Sequence, residues 1–479
     1  MSYDVCVIGS GPGGYVAAIR ASQHGLKTII VEREALGGVC LNVGCIPSKA
    51  MITAAHFLHR IQHDGPEMGI TAAKVNLDMP KLLGWKQSVC DRMSGGVEML
   101  LKGNKSEILR GEAQFVSKDE LQVKTKEGTK SIRAKNFIVA TGSRPVQIPG
   151  FEFDEKTVLS STGALELDSV PKKLIVIGGG YIGLEISGYL SQLGCEVTVV
   201  EAMSELLVGV VDKEAVQVVA KKLKKQGVKI LTSAKAKSYK KLKSSVEVTI
   251  EVAGKTETLE GDKILVTVGR RPNSDQCNLK GIGLKINDKG FLETDAKRRT
   301  NIPGIYGIGD IVGNPMLAHK ASYEGVLVAD IIKGENRVFD AKTVPAVIFT
   351  DPEIASVGWT EEEAKAQGYK DLKVGKFPFA ANGRAVSMMS TDGFIKMVAD
   401  GKTNVLLGVT IVGPEASNLI SEAALAIEMG ARLEDLAFTI HPHPTLGEAM
   451  MEAAEATLGH AIHVIQRPLR GQAPSPTAH

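Results

Sequence analysis

The chain has 479 residues, enough for about three domains of ordinary size. With 43% apolar residues it can bury substantial cores, and a net charge of +3 calls for no polyanionic or polycationic partner. The lysine runs at Lys221-Lys222 with Lys224-Lys225, and from Lys235 to Lys243, read as solvated helix and hairpin faces, which excludes a nucleic-acid function.

Met1-Ser2-Tyr3-Asp4 leads directly into a first strand with no basic or apolar leader. No apolar run reaches the roughly 18 residues of a bilayer span. Six scattered cysteines are too few for a secreted disulfide scaffold, and Cys6, Cys90, Cys195 and Cys277 read as small buried hydrophobes. The expectation is a soluble, cytoplasmic chain without membrane association.

Asp4-Val5-Cys6-Val7-Ile8 reads as a buried parallel strand. It feeds the turn Gly9-Ser10-Gly11-Pro12-Gly13-Gly14, then a helix-like stretch from Tyr15 to His24. A second strand, Thr28 to Val31, ends in Glu32. Gly9, Gly11 and Gly14 permit the tight turn and the approach of a pyrophosphate to a helix N-terminus, and Glu32 can bind a ribose hydroxyl.

Next comes Gly38-Val39-Cys40-Leu41-Asn42-Val43-Gly44-Cys45-Ile46-Pro47-Ser48-Lys49. Closing so short a ring stabilises a fold by only about 2 kcal/mol on the chain-entropy model, so redox work is the better reading of this thiol pair. Pro47 suits the first turn of a helix, which puts Cys45 at a helix N-terminus where a thiolate is favoured. Lys49 projects from the same face as Cys45. Zinc would want a second Cys or His pair at short spacing, and none follows, so no metal is expected.

The dinucleotide construction recurs. Leu174 to Ile177 leads into Gly178-Gly179-Gly180-Tyr181-Ile182-Gly183, a helix through Leu193, and a strand from Glu196 to Val200 ending at Glu201. In each unit the acid lies 23 positions beyond the first glycine. Two such units with matched spacing hold two dinucleotides. Disulfide chemistry coupled to a hydride carrier needs an intermediary that handles both, and a flavin does so. FAD on the first unit (Gly9, Gly11, Gly14, Glu32) and NAD on the second (Gly178, Gly180, Gly183, Glu201) is the economical assignment. Glu201 repels a 2′-phosphate, and no arginine lies between it and Ala220 to bind one. Tyr181 is a candidate gate over the nicotinamide, or a packing residue after the turn.

A thiol-oxidising site needs a base near neutrality, and His443 is the candidate, with Glu448 to hold its ring. Thr445-x-x-Glu448 can equally be a capping box. His441 reads as structural.

Together these features resemble the dihydrolipoamide dehydrogenases, the E3 components of 2-oxo acid dehydrogenase complexes, within the flavin disulfide reductases. The likeness covers all but the last dozen or so residues. It includes Ala140-Thr141-Gly142-Ser143-Arg144-Pro145, Ser160-Ser161-Thr162-Gly163-Ala164-Leu165 and Val268-Gly269-Arg270-Arg271-Pro272-Asn273. It continues with Gly304-Ile305-Tyr306-Gly307-Ile308-Gly309-Asp310, Met316-Leu317-Ala318-His319-Lys320-Ala321 and His441-Pro442-His443-Pro444-Thr445-Leu446-Gly447-Glu448. No cysteine follows Cys277, which disfavours mercuric reductases and large thioredoxin reductases; glutathione-type reductases use NADP, and soluble transhydrogenases lack the paired cysteines.

The resemblance implies an α/β fold with two Rossmann-like dinucleotide-binding domains and a C-terminal α+β dimerisation domain. The expected boundaries are 1–147 for FAD, 148–273 for NAD, 274–345 returning to the FAD domain, and 346–479 for the interface, with a disordered tail at 471–479. It implies oxidation of protein-bound dihydrolipoamide through Cys40 and Cys45, FAD and NAD⁺. Asp310 would bind the FAD ribityl chain, backbone at Ala318 and His319 would face the ring, and Lys49 would sit beside the flavin paired with Glu185. Thr141, Gly142, Ser143 and Gly269 join the cofactor-binding set. His443 would be a base with a cis bond to Pro444, acting on the disulfide of the other subunit, so a homodimer is expected. Partners would be the lipoyl domains of the acyltransferases, with peripheral docking to a multienzyme complex. Val39, Gly307, Pro442, Gly447 and Ser322-Tyr323 depart from the usual pattern without removing a reactive atom.

Overall fold

A computed structural model describes residues 2–72 and 74–466. The expected disordered tail at 471–479 lies outside the described residues. The fold is α/β, with two Rossmann-like units followed by an α+β unit.

The first unit is built on seven strands. Glu107–Arg110, Thr28–Glu32, Ser2–Ile8 and Gly128–Val139 run parallel in that order, and Ile305–Gly307 joins on the far side of Gly128–Val139. The chain thus returns to its first sheet after a long excursion. The central strands carry apolar side chains on both faces because both are covered: Val5, Val7 and Ile30 pack on helices, and Cys6 packs on the antiparallel strands Glu112–Ser117 and Glu120–Thr125. The helix begins at Pro12, not Tyr15: Gly11 is its N-cap and the ring of Pro12 is preset for the first turn.

The second unit is a five-stranded parallel sheet, ordered Lys229–Leu231, Glu196–Val200, Lys173–Ile177, Lys263–Val266 and Val158–Leu159. A two-stranded antiparallel ribbon, Ser143–Pro145 with Arg270–Pro272, is where the chain leaves the first sheet and later comes back.

The third unit is a five-stranded sheet in the order Ala346–Ile348, Glu353–Gly358, Leu406–Gly413, Phe394–Asp400 and Leu372–Pro378. All its pairings are antiparallel. Helices Ala416–Met429 and Glu448–Leu458 close on it through small residues such as Ala423, Ala449 and Ala453, so helix and sheet backbones come near. At Gly375 an added Cβ would lie 2.4 Å from the Thr457 backbone nitrogen.

One stretch, Gly38–His63, has the length and apolarity to cross a bilayer, contrary to the expectation that no run reaches that size. The chain breaks there into two helices, Gly38–Asn42 and Cys45–His63. The second packs on helices Tyr181–Gln192 and Met79–Gly103. Its apolar side chains, Met51 and Ala55 among them, belong to a core shared with the second unit.

Candidate active site

The thiol pair occupies a tight corner. Gly37 and Gly38 both have positive φ (89° and 58°), and a Cβ on Gly38 would strike Gly11 Cα at 2.7 Å. The corner is therefore pressed against the first glycine turn, and only glycine fits there. Asn42 Nδ2 donates to the Leu36 and Gly38 carbonyls, at 2.9 and 2.8 Å, and braces it.

Cys40 lies inside the short helix, half-buried, while Cys45 opens the long one and is exposed. Both are free thiols, and each is the largest influence on the other's titration. The pairing pushes the pKa of Cys40 up and brings that of Cys45 down to about 7. Crowding by protein works against the Cys45 thiolate, and the nearby Lys49 ammonium works for it. The helix N-terminus has no side-chain cap, so its N–H groups remain directed at the sulfur end.

Lys49 Nζ lies 2.8 Å from Glu185 Oε2 and 4.3 Å above the Phe349 ring. Glu185 is buried, and its other oxygen accepts the Phe349 N–H at 2.9 Å. Three units of the fold thus meet at one ion pair, each contributing one group. Phe349 was not among the residues expected from sequence.

The first glycine turn is shaped for a dinucleotide. A Cβ at Gly9 would meet the Ala140 carbonyl at 2.4 Å and one at Gly14 the Gly9 carbonyl at 1.9 Å, so strand, turn and helix close tightly. Gly11 has nothing within 4 Å on that side, leaving the helix N-terminus open. Glu32 Oε2 accepts from Ser10 N at 2.8 Å and Ser10 Oγ at 2.7 Å, which orients the carboxylate at the sheet's end.

Asp310 sits in the 3-10 turn Gly309–Val312. It accepts from Ser143 Oγ at 2.5 Å, and Ser143 in turn accepts from Arg270 Nε at 2.8 Å. Gly142 and Thr141 are held by Asn273, whose N–H reaches the Gly142 carbonyl at 2.9 Å and whose Nδ2 reaches the Thr141 carbonyl at 2.8 Å. The Thr141 hydroxyl is buried with no hydrogen-bond partner. Helix Ala318–Lys333 starts at Ala318 and His319 without a side-chain cap. An unpartnered hydroxyl, an oriented carboxylate and two uncapped helix starts suit a flavin dinucleotide. Arg270 belongs to a motif legible in the sequence, but only its neighbour Gly269 was expected at the site.

The second turn repeats the design. A Cβ at Gly178 would lie 2.6 Å from the Thr267 carbonyl and one at Gly183 would lie 2.3 Å from the Gly178 carbonyl. Gly180 is open. Glu201 accepts from Gly179 N at 2.6 Å and Met203 N at 2.7 Å. Tyr181 is the first residue of its helix, and Gly269 has φ 125° and free space on its Cβ side.

His443 and Glu448 form a separate pair. The His443–Pro444 bond is cis, and His443 Nδ1 lies 2.7 Å from Glu448 Oε1. Burial of Glu448 opposes its charge, but hydrogen bonds from Thr445 N and His443 hold its carboxyl below the usual range. The capping-box alternative forms only in half: Glu448 Oε2 accepts the Thr445 N–H at 2.8 Å, without the reciprocal bond from the hydroxyl. The helix begins at Glu448 itself, with Gly447 as N-cap, and the Thr445 hydroxyl donates to the Pro442 carbonyl at 2.7 Å. The imidazole is 79% exposed. Among the described residues no hydrogen bond or ion pair joins it to the cysteines of its own chain. His441 is held by Glu422 at 3.0 Å and the Thr439 carbonyl at 2.8 Å, a structural role.

Residues 3–325 match the pyridine nucleotide-disulphide oxidoreductase family, and residues 344–454 match the dimerisation domain of the pyridine nucleotide-disulphide oxidoreductases. The chain is 50% identical over 464 residues to dihydrolipoyl dehydrogenase of Geobacillus stearothermophilus, covering 97% of this chain and 98% of that one. The same figures hold for dihydrolipoyl dehydrogenase of Bacillus subtilis (strain 168). Among solved structures, LpdA from Mycobacterium tuberculosis superposes with a TM-score of 0.88 at 27% identity, over 94% of this chain and 99% of that one. The copper(II) complex of the HOCl-induced flavoprotein disulfide reductase RclA from Escherichia coli gives 0.85 at 26%, over 95% and 99%.

Proposed function

Because the chain belongs to the pyridine nucleotide-disulphide oxidoreductase family and matches its dihydrolipoyl dehydrogenases over nearly their full length, we propose that it oxidises protein-bound dihydrolipoamide to lipoamide and passes the electrons to NAD⁺. The observation that carries this reading is the thiol pair, with unequal acidities, beside the Lys49–Glu185 ion pair and in a chain with two dinucleotide turns.

The exchange step balances in sulfur and protons. His443 takes a proton from one thiol of dihydrolipoamide, and the thiolate attacks Cys40 in the Cys40–Cys45 disulfide. Cys45 leaves as thiolate, which its lowered pKa favours, since a leaving group of lower pKa departs faster. The second substrate thiol displaces Cys40, forming lipoamide and leaving the enzyme with two more electrons and two more protons. Glu448 fixes the ring of His443 and stabilises its imidazolium. Gly9, Gly11, Gly14, Glu32, Thr141, Gly142, Ser143, Asp310, Ala318 and His319 would hold FAD, which would supply a carrier able to exchange an electron pair with sulfur and a hydride with a nicotinamide. Lys49 is poised at that junction, with Glu185 fixing its ammonium. Gly178, Gly180, Gly183, Glu201 and Gly269 hold NAD⁺, and Tyr181 gates its nicotinamide.

The exposed His443 acts on the cysteines of a second subunit, so the working enzyme is a homodimer built through the dimerisation domain. Its substrates are the lipoyl domains of 2-oxo acid dehydrogenase acyltransferases, reached by docking at the edge of a multienzyme complex. The free, scattered cysteines suit a reducing cytoplasm.

Anaerobic titration with dihydrolipoamide tests the reading. It should produce a long-wavelength flavin–thiolate band, then NADH on addition of NAD⁺, and Cys45→Ser should abolish turnover. Faster reaction with glutathione or a mercuric salt would refute the substrate assignment.

A further inference from the structure

Outside the residues assigned so far, the most deeply buried charge is Glu324, at 0% exposure in the helix Ala318–Lys333. Its Oε2 accepts the Gly309 N–H at 2.6 Å. Its Oε1 faces Arg298 Nη2 at 2.9 Å and Lys320 Nζ at 3.1 Å. Lys320 also donates to the Gly313 carbonyl at 3.2 Å. The two side chains, one helical turn apart, therefore grip both ends of the turn that carries Asp310.

The turn depends on that grip. Gly309 has φ 76°, a left-handed residue whose N–H points back into the protein. The helix is itself locked to the first glycine turn, since a Cβ on Gly325 would strike the Gly13 carbonyl at 2.5 Å. It thereby sets the spacing between the pyrophosphate site and Asp310. Arg298 is held at φ 60° with its guanidinium 4.3 Å from the Phe339 ring centre, an arrangement that places its charge on Glu324. A buried ionic cluster is weak evidence for stability alone, because apolar residues of like volume often serve a fold as well or better.

We propose that Glu324, supported by Arg298 and Lys320, is a positioning residue that aims the Asp310 carboxylate at the FAD ribityl chain. This rests on the reading that Asp310 holds FAD. Ser143 fixes Asp310 directly through its hydroxyl, and Glu324 fixes it through the backbone of Gly309.

The test measures FAD release from the purified holoenzyme by flavin fluorescence, with flavin circular dichroism and thermal midpoint alongside. Glu324→Leu removes the acceptor, and a charge-assisted hydrogen bond of this kind corresponds to roughly 10- to 100-fold weaker FAD binding. Glu324→Gln keeps an oxygen for Gly309 N–H, so it should recover most of that loss and the native flavin dichroism. Arg298→Met should fall between the two. If Glu324→Leu does not fold, the comparison of Glu324→Gln and Arg298→Met with the native protein decides. FAD affinity within twofold of native in Glu324→Leu, or in Arg298→Met where the leucine variant does not fold, would overturn the proposal, as would losses that merely track the thermal midpoint without change in flavin dichroism. Asp310→Ala separates the premise: if it too leaves FAD affinity unchanged, the reading of Asp310 fails instead.

Discussion

Replacing Cys40 with alanine should move the titration of Cys45 in a direction and by an amount the site dictates. The thiol of Cys40 is the largest influence lowering Cys45 to about 7, against 9.0 for an ordinary thiol. Without it, Lys49 and the backbone N–H groups still favour the thiolate, while crowding and the Glu185 carboxylate oppose it. With the largest lowering influence gone, the midpoint should climb toward that of an ordinary thiol, about 8–9. At pH 7 the thiolate fraction then falls from about one half to roughly 1–10%, a 5- to 50-fold loss. The assay is the long-wavelength band that a thiolate gives beside oxidised flavin. Cys40→Ala displays it directly, and the native enzyme does so after anaerobic reduction by one dithiol equivalent. Both are titrated from pH 5 to pH 10. A midpoint still near 7 in Cys40→Ala would refute the reasoning, because Lys49 and the helix terminus alone would then account for the acidity. In the double variant Cys40→Ala with Lys49→Met the midpoint should rise again, since the ammonium is gone and the Glu185 charge faces the sulfur unopposed.

Other consequences follow from the same geometry. His443→Gln should lower kcat/KM for dihydrolipoamide by about 10²–10⁴-fold, the usual contribution of a positioned base, and leave flavin reduction by NADH intact; slowing of both half-reactions together would argue against a base role. Glu201→Ala removes the acceptor of two backbone N–H groups and of a ribose hydroxyl, so KM for NAD⁺ should rise about tenfold or more with kcat little changed. Steady-state kinetics with NAD⁺ varied would show it. Lys396 is 8% exposed and bonded to Asp212 and Glu214, both at 2.8 Å, and it ties the third unit to the second. Lys396→Met strands the buried Asp212 carboxylate and should cost about 3–5 kcal/mol in urea unfolding of the holoenzyme; a loss under about 1 kcal/mol would show that the pair is solvated.

What could be read from sequence, and what could not, divides along chain separation. The two glycine turns were legible because their geometry is local: strand, left-handed glycine, helix start and acid fall within a couple of dozen residues. Cys45 at a helix start was legible for the same reason, through Pro47. The short helix around Cys40 was not, since it is five residues long and no side-chain cap marks its start. Lys49 and Glu185 stand 136 positions apart, and Arg270 and Asp310 reach Ser143 across 127 and 167. No spacing rule reaches that far, so Lys49–Glu185 came only by family resemblance and the role of Arg270 was missed. Thr445 was half legible: its N–H reaches Glu448 as the motif requires, but the helix starts only at Glu448, and the Thr445 hydroxyl donates to the Pro442 carbonyl.

That division bears on how the chemistry is distributed. The backbone creates the asymmetry between the sulfurs: Gly44 breaks one apolar stretch into two helices, so one thiol lies within a short helix and the other at the positive end of a long one. Two thiols five residues apart in a single unbroken helix would lie on different faces with no such difference. Long-range groups then amplify what the break began, Lys49 stabilising the thiolate and Glu185 limiting how far. Cys40 can thus receive the substrate's sulfur while Cys45 leaves and holds charge, and exchanging their roles by mutation should require moving the helix break, not the cysteines.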